Sequence, residues 1–307
     1  MIPAKILSSG TLEGMARDAK PLKAKLDALC ERHRGVMGYS LYHTKYNHRI
    51  HHRGDEIFPT ASTIKVAVMT KAMEEIDAGR LNYSERLPIT PDDIREGSGL
   101  LQFYKENQSV EVKLLLHLMI TVSDNTATIM LARRLGTVEV NRHLERLGLR
   151  HTKLLALHPP DDAELKALRD KWGMGMCTPN EMVQLLDAIR MGKAASPAAC
   201  DRMLRIMSHQ YYDDLIGSST PPWVVACLKS GAINRSRSDV GIIYAPSGAY
   251  ILAVFTKENE DTRWTPENEA EAAIREAAQT VWWFYHPRDP WRPPKNAEKL
   301  AVGYGGA

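Results

Sequence analysis

The 307-residue sequence has few of the features that mark metal, redox, membrane or nucleic-acid proteins. Its four cysteines are widely spaced, with no CxxC pair to indicate zinc or a redox motif. No apolar run approaches the roughly 18 residues of a membrane span, and the first residues lack the apolar core and cleavage site of a signal peptide. The 40 basic and 37 acidic residues are scattered along the chain. We therefore expect a soluble chain that binds neither nucleic acid nor membrane.

Histidines form the densest cluster of candidate metal ligands. The cluster consists of His43, His48, His51 and His52. Neighbouring residues on a regular strand point to opposite faces, so His51 and His52 would not reach the same ion. We expect solvated histidines on strands and turns and no metal site, although metal binding is the alternative. No cofactor is indicated.

The two ends of the chain have strand-like patterns beside a helix. After a helix from Pro21 to about His33, residues 35–44 alternate with period two, and residues 49–53 form a second short run, with Asn47 suited to the turn. Beyond Pro222 come three runs rich in branched and aromatic residues, VVACL, GIIYAP and AYILAVFT, and then a helix over 267–285. Both ends thus contribute strands to an α/β structure.

The centre of the chain is predominantly helical. One helix runs from Ser62 to about Gly79, and Ser109 is a candidate N-cap for a later one. Further helices are predicted over 110–120, 127–135, 138–147 and 179–191. We predict one α/β lobe built from residues 1–61 and 215–307, with a helical lobe of residues 62–214 inserted between them. A cleft between such lobes is a usual place for a functional site.

A serine and a lysine stand three residues apart at the start of the first central helix, in FPTASTIKVAVM. On a helix, Ser62 and Lys65 would share a face, so the Lys65 amine would lie within reach of the Ser62 hydroxyl. A neutral lysine accepts a serine proton if burial or nearby positive charge lowers its pKa. By itself, this spacing is expected about once by chance in a chain with so many serines and lysines.

Two further triplets follow in order. Ser123-Asp124-Asn125 lies in ITVSDNTAT, and Lys229-Ser230-Gly231 lies in CLKSGAINR. Taken singly, the first triplet is typical of a helix N-cap and the second of the end of an exposed strand. All three motifs in this order and at these distances are expected by chance in well under about one chain in a thousand.

Together, SxxK, SDN and KSG resemble the motifs of the penicillin-recognising serine hydrolases, and of class A β-lactamases in particular. The resemblance extends over roughly residues 26–285. It implies a β-lactamase/transpeptidase-like fold, in which an antiparallel sheet flanked by helices carries an inserted helical lobe. It also implies a covalent acyl-serine reaction on a β-lactam or a related amide or ester. We expect a monomer. The family usually works outside the cytoplasm.

The resemblance implies a role for each matching residue. Ser62 would be the acylated nucleophile, Lys65 its proton acceptor, and Ser123 the donor to the leaving nitrogen. Asn125 would hold the substrate amide, and Lys229 would supply positive charge. The substrate would also contact Ser230 and Gly231, and the backbone NH groups of Ser62 and Ala232 would form the oxyanion hole. Arg235 or Arg237 would add a contact to the substrate carboxylate, although exposed strand arginines are the alternative.

The sequence departs from class A β-lactamases where they carry a glutamate that activates the deacylating water. Counting back from Thr178-Pro179 places Asp162 at the position of the glutamate, Glu164 two residues later and Lys166 at the position of a companion asparagine. Aspartate is one methylene shorter than glutamate, so we expect slow or differently catalysed deacylation. The alternative is that these acids are merely solvated.

Three functional hypotheses remain open. The first is a β-lactamase that hydrolyses β-lactams through an acyl-enzyme at Ser62. The second is a D-Ala-D-Ala carboxypeptidase or esterase on the same scaffold. The third is a sensor or binding domain that is acylated once with little turnover, which the altered loop favours.

Overall fold

A computed structural model describes residues 18–105, 107–157 and 162–292. Within these ranges the helices are α1 (Lys20–Arg32), α2 (Lys65–Asp77), α3 (Val112–Thr121), α4 (Asn125–Leu135), α5 (Thr137–Arg146), α6 (Ala163–Trp172), α7 (Pro179–Arg190), α8 (Pro197–Met207) and α9 (Glu269–Tyr285). None of these helices is both long and apolar enough to cross a membrane.

The main sheet is antiparallel and has five strands in the order β2-β1-β10-β9-β8. Its strands are β1 (Val36–His43), β2 (His48–His52), β8 (Ala226–Ile233), β9 (Ser236–Ala245) and β10 (Gly248–Lys257). Two small sheets are formed by β3 (Phe58–Pro59), β6 (Lys153–Leu154) and β7 (Gly175–Cys177), and by β4 (Arg86–Pro88) and β5 (Ser109–Glu111). Because β8 is an edge strand, the KSG segment has no strand neighbour on one side.

The sheet separates two hydrophobic cores. Strands β9 and β10 are almost entirely buried on both faces; β10 is nearly continuously apolar, whereas β9 begins with four buried polar residues, SRSD. One face contributes Val240 and Phe255 to a core shared with the central helices, and the other contributes Leu252 and Val254 to a core shared with α1 and α9. This packing fixes the position of β8 relative to α2.

The fold agrees with the predicted architecture of an antiparallel sheet flanked by helices, with further helices between the strands. The helices α6 and α8 were not predicted. Ser109 was predicted as an N-cap, but it belongs to β5, and the N-cap of α3 is Glu111 without a side-chain cap hydrogen bond. The division into lobes at residues 62 and 214 stays a prediction.

Candidate active site

Ser62 lies in a 3-10 turn, Ala61–Ile64, that leads directly into α2. Ala61 has a φ of +44°, in the left-handed region that costs a non-glycine residue of order 1 to 3 kcal/mol. Ser62 is half-buried, whereas Lys65 is fully buried at the first position of α2. The chain thus reverses sharply just before the serine and presents it at the start of a buried helix.

The Lys65 amine contacts the SDN segment. Its Nζ lies 2.6 Å from the Ser123 carbonyl oxygen, 3.1 Å from Ser123 Oγ and 2.8 Å from Asn125 Oδ1. Within the described part of the chain, no hydrogen bond joins Lys65 to the Ser62 hydroxyl, because three other oxygens surround the amine. The prediction that Lys65 accepts the Ser62 proton stays a prediction, and the contacts shown for the Lys65 amine are those to Ser123 and Asn125.

The chain turns sharply at the SDN segment before α4 begins. Ser123 has a φ of +55°, and the buried Asp124 is the N-cap of α4, accepting the Ala127 N–H at 2.8 Å. The other Asp124 oxygen accepts the N–H groups of Leu100 and Leu101 at 2.7 and 2.9 Å. One carboxylate therefore satisfies three backbone donors and joins the turn to the loop opposite.

That loop closes tightly on the SDN segment. Ser98 Oγ donates to the Ser123 carbonyl at 2.8 Å, and the Asn125 N–H donates to the Ser98 carbonyl at 3.1 Å. A Cβ on Gly99, where φ is +107°, would lie 2.3 Å from the Asp124 side chain, so only glycine fits there. The loop holds the Asn125 side chain as well, because Asn125 Nδ2 donates to the Glu96 carbonyl at 3.0 Å.

Lys229 reaches the same serine from the edge strand. Its Nζ donates to Ser123 Oγ at 3.1 Å and to the Ser230 carbonyl at 2.8 Å, and the residue is fully buried. The Ser123 hydroxyl therefore lies between two lysine amines that come from α2 and β8. The structure thus brings Lys65, Ser123, Asn125 and Lys229, residues of all three motifs, into one hydrogen-bond network.

Burial sets the protonation of both lysines. Burial and the nearby charge of Lys229 hold the pKa of Lys65 well below its usual value, against the opposing effect of Asp124. Burial lowers the pKa of Lys229 to about 7, and the carboxylate of Asp239 opposes this shift. A lowered pKa favours the neutral form of the Lys65 amine, which is the form that a proton acceptor requires.

Gly231 allows β8 to pass directly beside the 3-10 turn. A Cβ at Gly231 would lie 2.6 Å from the Thr60 carbonyl oxygen and 3.0 Å from the Ser62 backbone nitrogen. Ser238 secures this approach, since its Oγ donates to the carbonyls of Thr60 and Gly231 at 3.3 and 3.2 Å. Ser230 and Ala232, on either side of Gly231, are half-buried. Backbone groups of β8 and of the turn thus lie close together, as an oxyanion hole requires.

The two candidate arginines lie in different surroundings. Arg235 is exposed in the β8–β9 turn, where its guanidinium donates to the Glu258 carbonyl at 3.3 Å. Arg237 is 1 % exposed, pairs with Glu271 at 3.0 Å and also donates to the Arg263 carbonyl. The Arg237 guanidinium is bound by these partners in the core beside α9, so the expectation that Arg237 contacts a substrate carboxylate is wrong.

The loop acids are engaged in helix capping or exposed. Asp162 is the N-cap of α6, and its Oδ1 accepts the Leu165 N–H at 2.9 Å. Glu164 is exposed in the first turn of α6, and the exposed Lys166 pairs with Asp170 at 2.7 Å. Asp161, a further acid of this loop that the sequence offers as a solvated side chain, lies outside the described residues. No contact in the described part of the loop joins Asp162 or Glu164 to Ser62 or Lys65.

The histidines are dispersed among other contacts. Burial lowers the pKa of His43 to about 4, and its ring packs 4.1 Å from that of Tyr285. His48 Nδ1 is 3.0 Å from the Tyr285 hydroxyl, His52 Nε2 is 3.1 Å from a Glu31 oxygen, and His51 is exposed. Over residues 18–105, 107–157 and 162–292, no group of three or more potential ligands is arranged to hold a metal ion.

Comparison with known proteins identifies the family. The model of the β-lactamase enzyme family matches residues 21–285, and the chain belongs to this family. It is a serine β-lactamase-like hydrolase. A β-lactamase of Rhodobacter capsulatus is 27 % identical over 80 % of this chain and 83 % of its own length, and one of Streptomyces albus G is 24 % identical over 87 and 86 %.

Solved structures have the same fold. A variant of PBP-A, solved as an acyl-enzyme complex with penicillin G, has a TM-score of 0.78 and 27 % identity over 89 % of this chain and 99 % of that one. A β-lactamase from Sphaerobacter thermophilus has a TM-score of 0.76 and 26 % identity over 88 and 99 %. These likenesses confirm the predicted fold class.

Sequence reasoning missed the residues that hold the site together. The motifs include Asp124 without indicating its role, and they do not predict the contributions of Ser98 and Ser238. The glycines on either side of Ser98 were the available signal, because closely spaced glycines mark a tight loop. Ser238 offered no signal, since its role depends on the pairing of β9 with β8.

Proposed function

We propose that the protein forms a covalent acyl-enzyme at Ser62 with β-lactams and releases the hydrolysed product. The observation that carries this proposal is the Ser123 hydroxyl, which lies 3.1 Å from the amines of both Lys65 and Lys229. A neutral Lys65 donates to the Ser123 carbonyl and to Asn125 Oδ1, leaving its lone pair for a proton from a hydroxyl group. Protonated Lys229 donates to Ser123 Oγ from the other side.

The reaction follows from these roles. Lys65 takes the Ser62 proton as Ser62 Oγ bonds to the lactam carbonyl carbon, and the carbonyl becomes an oxyanion held by the N–H groups of Ser62 and Ala232. The ring C–N bond then breaks, and the nitrogen takes the Ser123 proton, which Lys65 replaces. Lys229 balances the substrate carboxylate, with Ser230 as a hydrogen-bond donor beside it. Water then hydrolyses the ester.

A fluorescent penicillin tests the acylation step. We expect it to label the wild-type protein with one equivalent and to leave Ser62→Ala unlabelled, because the alcohol that forms the ester is gone. Ser84→Ala, at an exposed serine, is the matched control and should be labelled normally. Labelling of Ser62→Ala at the wild-type rate would refute the proposal.

The second candidate is an acylated sensor with little turnover. It is favoured by the capping role of Asp162 and the exposure of Glu164, which leave no described acid bound near Ser62. Nitrocefin separates the two candidates: sustained hydrolysis after the burst supports the β-lactamase, whereas a burst of about one equivalent without a steady state supports the sensor. Faster cleavage of a D-Ala-D-Ala peptide or a simple ester than of nitrocefin would favour the peptidase or esterase.

A further inference from the structure

The Ser123 carbonyl oxygen accepts two hydrogen bonds from different parts of the chain. Lys65 Nζ donates to it from α2 at 2.6 Å, and Ser98 Oγ donates to it from the opposite loop at 2.8 Å. A carbonyl oxygen has two lone pairs, so these two donors fill its acceptor capacity. The proposed chemistry uses the Lys65 amine and gives no part to the Ser98 hydroxyl.

The loop holds Ser98 beside this carbonyl. The Ser98 carbonyl accepts the Asn125 N–H at 3.1 Å. Gln102 Nε2 donates to the carbonyls of Gly97 and Gly99, at 2.6 and 3.0 Å. The backbone is therefore bonded at Ser98 and on both sides of it, and its hydroxyl is presented to the same oxygen as the lysine amine.

The hydrogen bonds around Lys65 bear on its protonation. Three oxygens surround its amine, namely the Ser123 carbonyl, Ser123 Oγ and Asn125 Oδ1. A charged amine offers an N–H group to each of them, whereas a neutral amine has two N–H groups and a lone pair. Each oxygen that attracts an N–H group of Lys65 stabilises the charged form, but a proton acceptor must be neutral.

We propose that Ser98 is a positioning residue whose hydroxyl occupies the Ser123 carbonyl and so weakens the attraction of this oxygen for a charged Lys65 amine. The Ser98 O–H group places a partial positive charge against the oxygen, which reduces its attraction for a second positive charge. The proposal rests on the function proposed above, because a neutral Lys65 matters only if it accepts the Ser62 proton.

Charged groups act on the Lys65 amine as well. Lys229 from β8 favours the neutral amine, and Asp124 before α4 favours the charged one. In the loop over residues 96–104 the charged residue is Glu96, whose side chain is exposed. Since Ser98 contributes a dipole beside these full charges, we expect a modest effect that a pH profile resolves.

The test is the pH profile of acylation in Ser98→Ala. Removing the hydroxyl leaves the Ser123 carbonyl to Lys65, so the amine should keep its proton to higher pH. The acid limb of the second-order rate of labelling by a fluorescent penicillin should move up by about half a pH unit. Below that limb the variant should be labelled about threefold more slowly. An unshifted acid limb in the folded variant would overturn the proposal.

Two further variants separate the hydroxyl from the structure of the loop. Ser98→Thr keeps a hydroxyl and should keep the wild-type acid limb. Thr126→Val is the matched control, because Thr126 Oγ1 accepts the Arg95 N–H at 3.0 Å and so joins the start of this loop to α4 through Arg95 rather than through Ser123. A limb displaced in either variant as far as in Ser98→Ala would contradict the role of the hydroxyl.

A second readout does not depend on acylation. In protein labelled with ¹⁵N-lysine, the Lys65 Nζ resonance, assigned by its loss in Lys65→Met, should titrate at higher pH in Ser98→Ala than in the wild type. An unchanged titration would overturn the positioning role whether or not a penicillin labels Ser62. A shifted titration in a protein that no penicillin labels would support the effect of Ser98 on Lys65 and refute the proposed function alone.

Discussion

The two sides of the candidate active site differ in how their polar side chains are used. On the side of Ser62, two buried lysines and a serine share one hydrogen-bond network, which α2, the turn before α4 and strand β8 hold from three directions. On the side of α6, Asp162 caps a helix and Glu164 is exposed. In the proposed mechanism, forming the acyl-enzyme and releasing it depend on separate parts of the chain, and only the first part gathers its polar groups into one network.

The largest effect is expected from Lys65→Met, which keeps much of the side-chain volume but removes the proposed proton acceptor. We expect acylation by a fluorescent penicillin to slow by about 10² to 10⁴-fold, the usual contribution of a general base. Lys71→Met is the control, because Lys71 is buried on the same helix but pairs with Glu74. Equal slowing in both variants would mean that helix packing, and not proton transfer, is affected.

A smaller but still large effect is expected from Asp124→Ala. The change leaves the N–H groups of Leu100, Leu101 and Ala127 without their acceptor, so we expect the free energy of unfolding to fall by about 3 kcal/mol. Urea unfolding measures this loss. Asp92→Ala, at an exposed aspartate, should change stability little. A loss below about 1 kcal/mol in Asp124→Ala would show that the loop does not depend on this carboxylate.

The α6 side should respond weakly. Asp162→Ala removes an N-cap, which costs about 1 kcal/mol of local helix stability, and Glu164→Gln removes an exposed charge. We expect both variants to keep the deacylation rate of a preformed penicilloyl-enzyme within about twofold, because neither side chain is bound at the site. If deacylation slowed by more than about tenfold in either variant, the two sides would not be separate, and that acid would be the base that activates the deacylating water.

The smallest effect on labelling is expected in Glu74→Gln, because Glu74 pairs with Lys71 and Arg146 and the change acts on stability. Burial alone would raise the pKa of Glu74, but hydrogen bonds from Lys71 and Arg146 outweigh it and lower the pKa from 4.5 to about 2. The ionised form therefore stabilises the fold above pH 4.5, and this stability is lost as the pH falls towards 2. In Glu74→Gln, Tm should fall less steeply over that window, whereas the exposed control Glu145→Gln should follow the wild type.

Local sequence patterns predicted the residues of the candidate site better than the residues that hold them in place. The resemblance of SxxK, SDN and KSG to the motifs of the family implied that Lys65, Ser123 and Lys229 act at one site, whereas no motif alone predicts this contact. SDN also turned out to be the helix cap that its composition indicates, with Asp124 as the capping residue. By contrast, nothing in the local sequence distinguishes Arg237 from an exposed strand arginine. Only the packing of α9 against β9 shows that Arg237 forms an ion pair with Glu271.

The missed elements have separate causes. Helix α6 buries Leu165 and little else, so its sequence carries a weak apolar pattern. Ser109 is a good N-cap residue, but pairing with Pro88 places it in a strand. For Ser109, a contact between distant segments decided the outcome, whereas α6 was missed because it buries too little apolar surface to leave a pattern.

The pairing of β1 with β10 joins Val36 to Lys257, so the sheet closes only after most of the chain has been made. Contacts this distant in sequence slow folding, because the entropy of closing a long loop is lost before the contacts stabilise the chain. The helices between them can form early, whereas β8 gains its place beside Ser62 only when the β9 and β10 strands join β1. We therefore expect a folding intermediate that has native helices but no reactive serine. During refolding, labelling by a penicillin should recover after the helical signal has recovered.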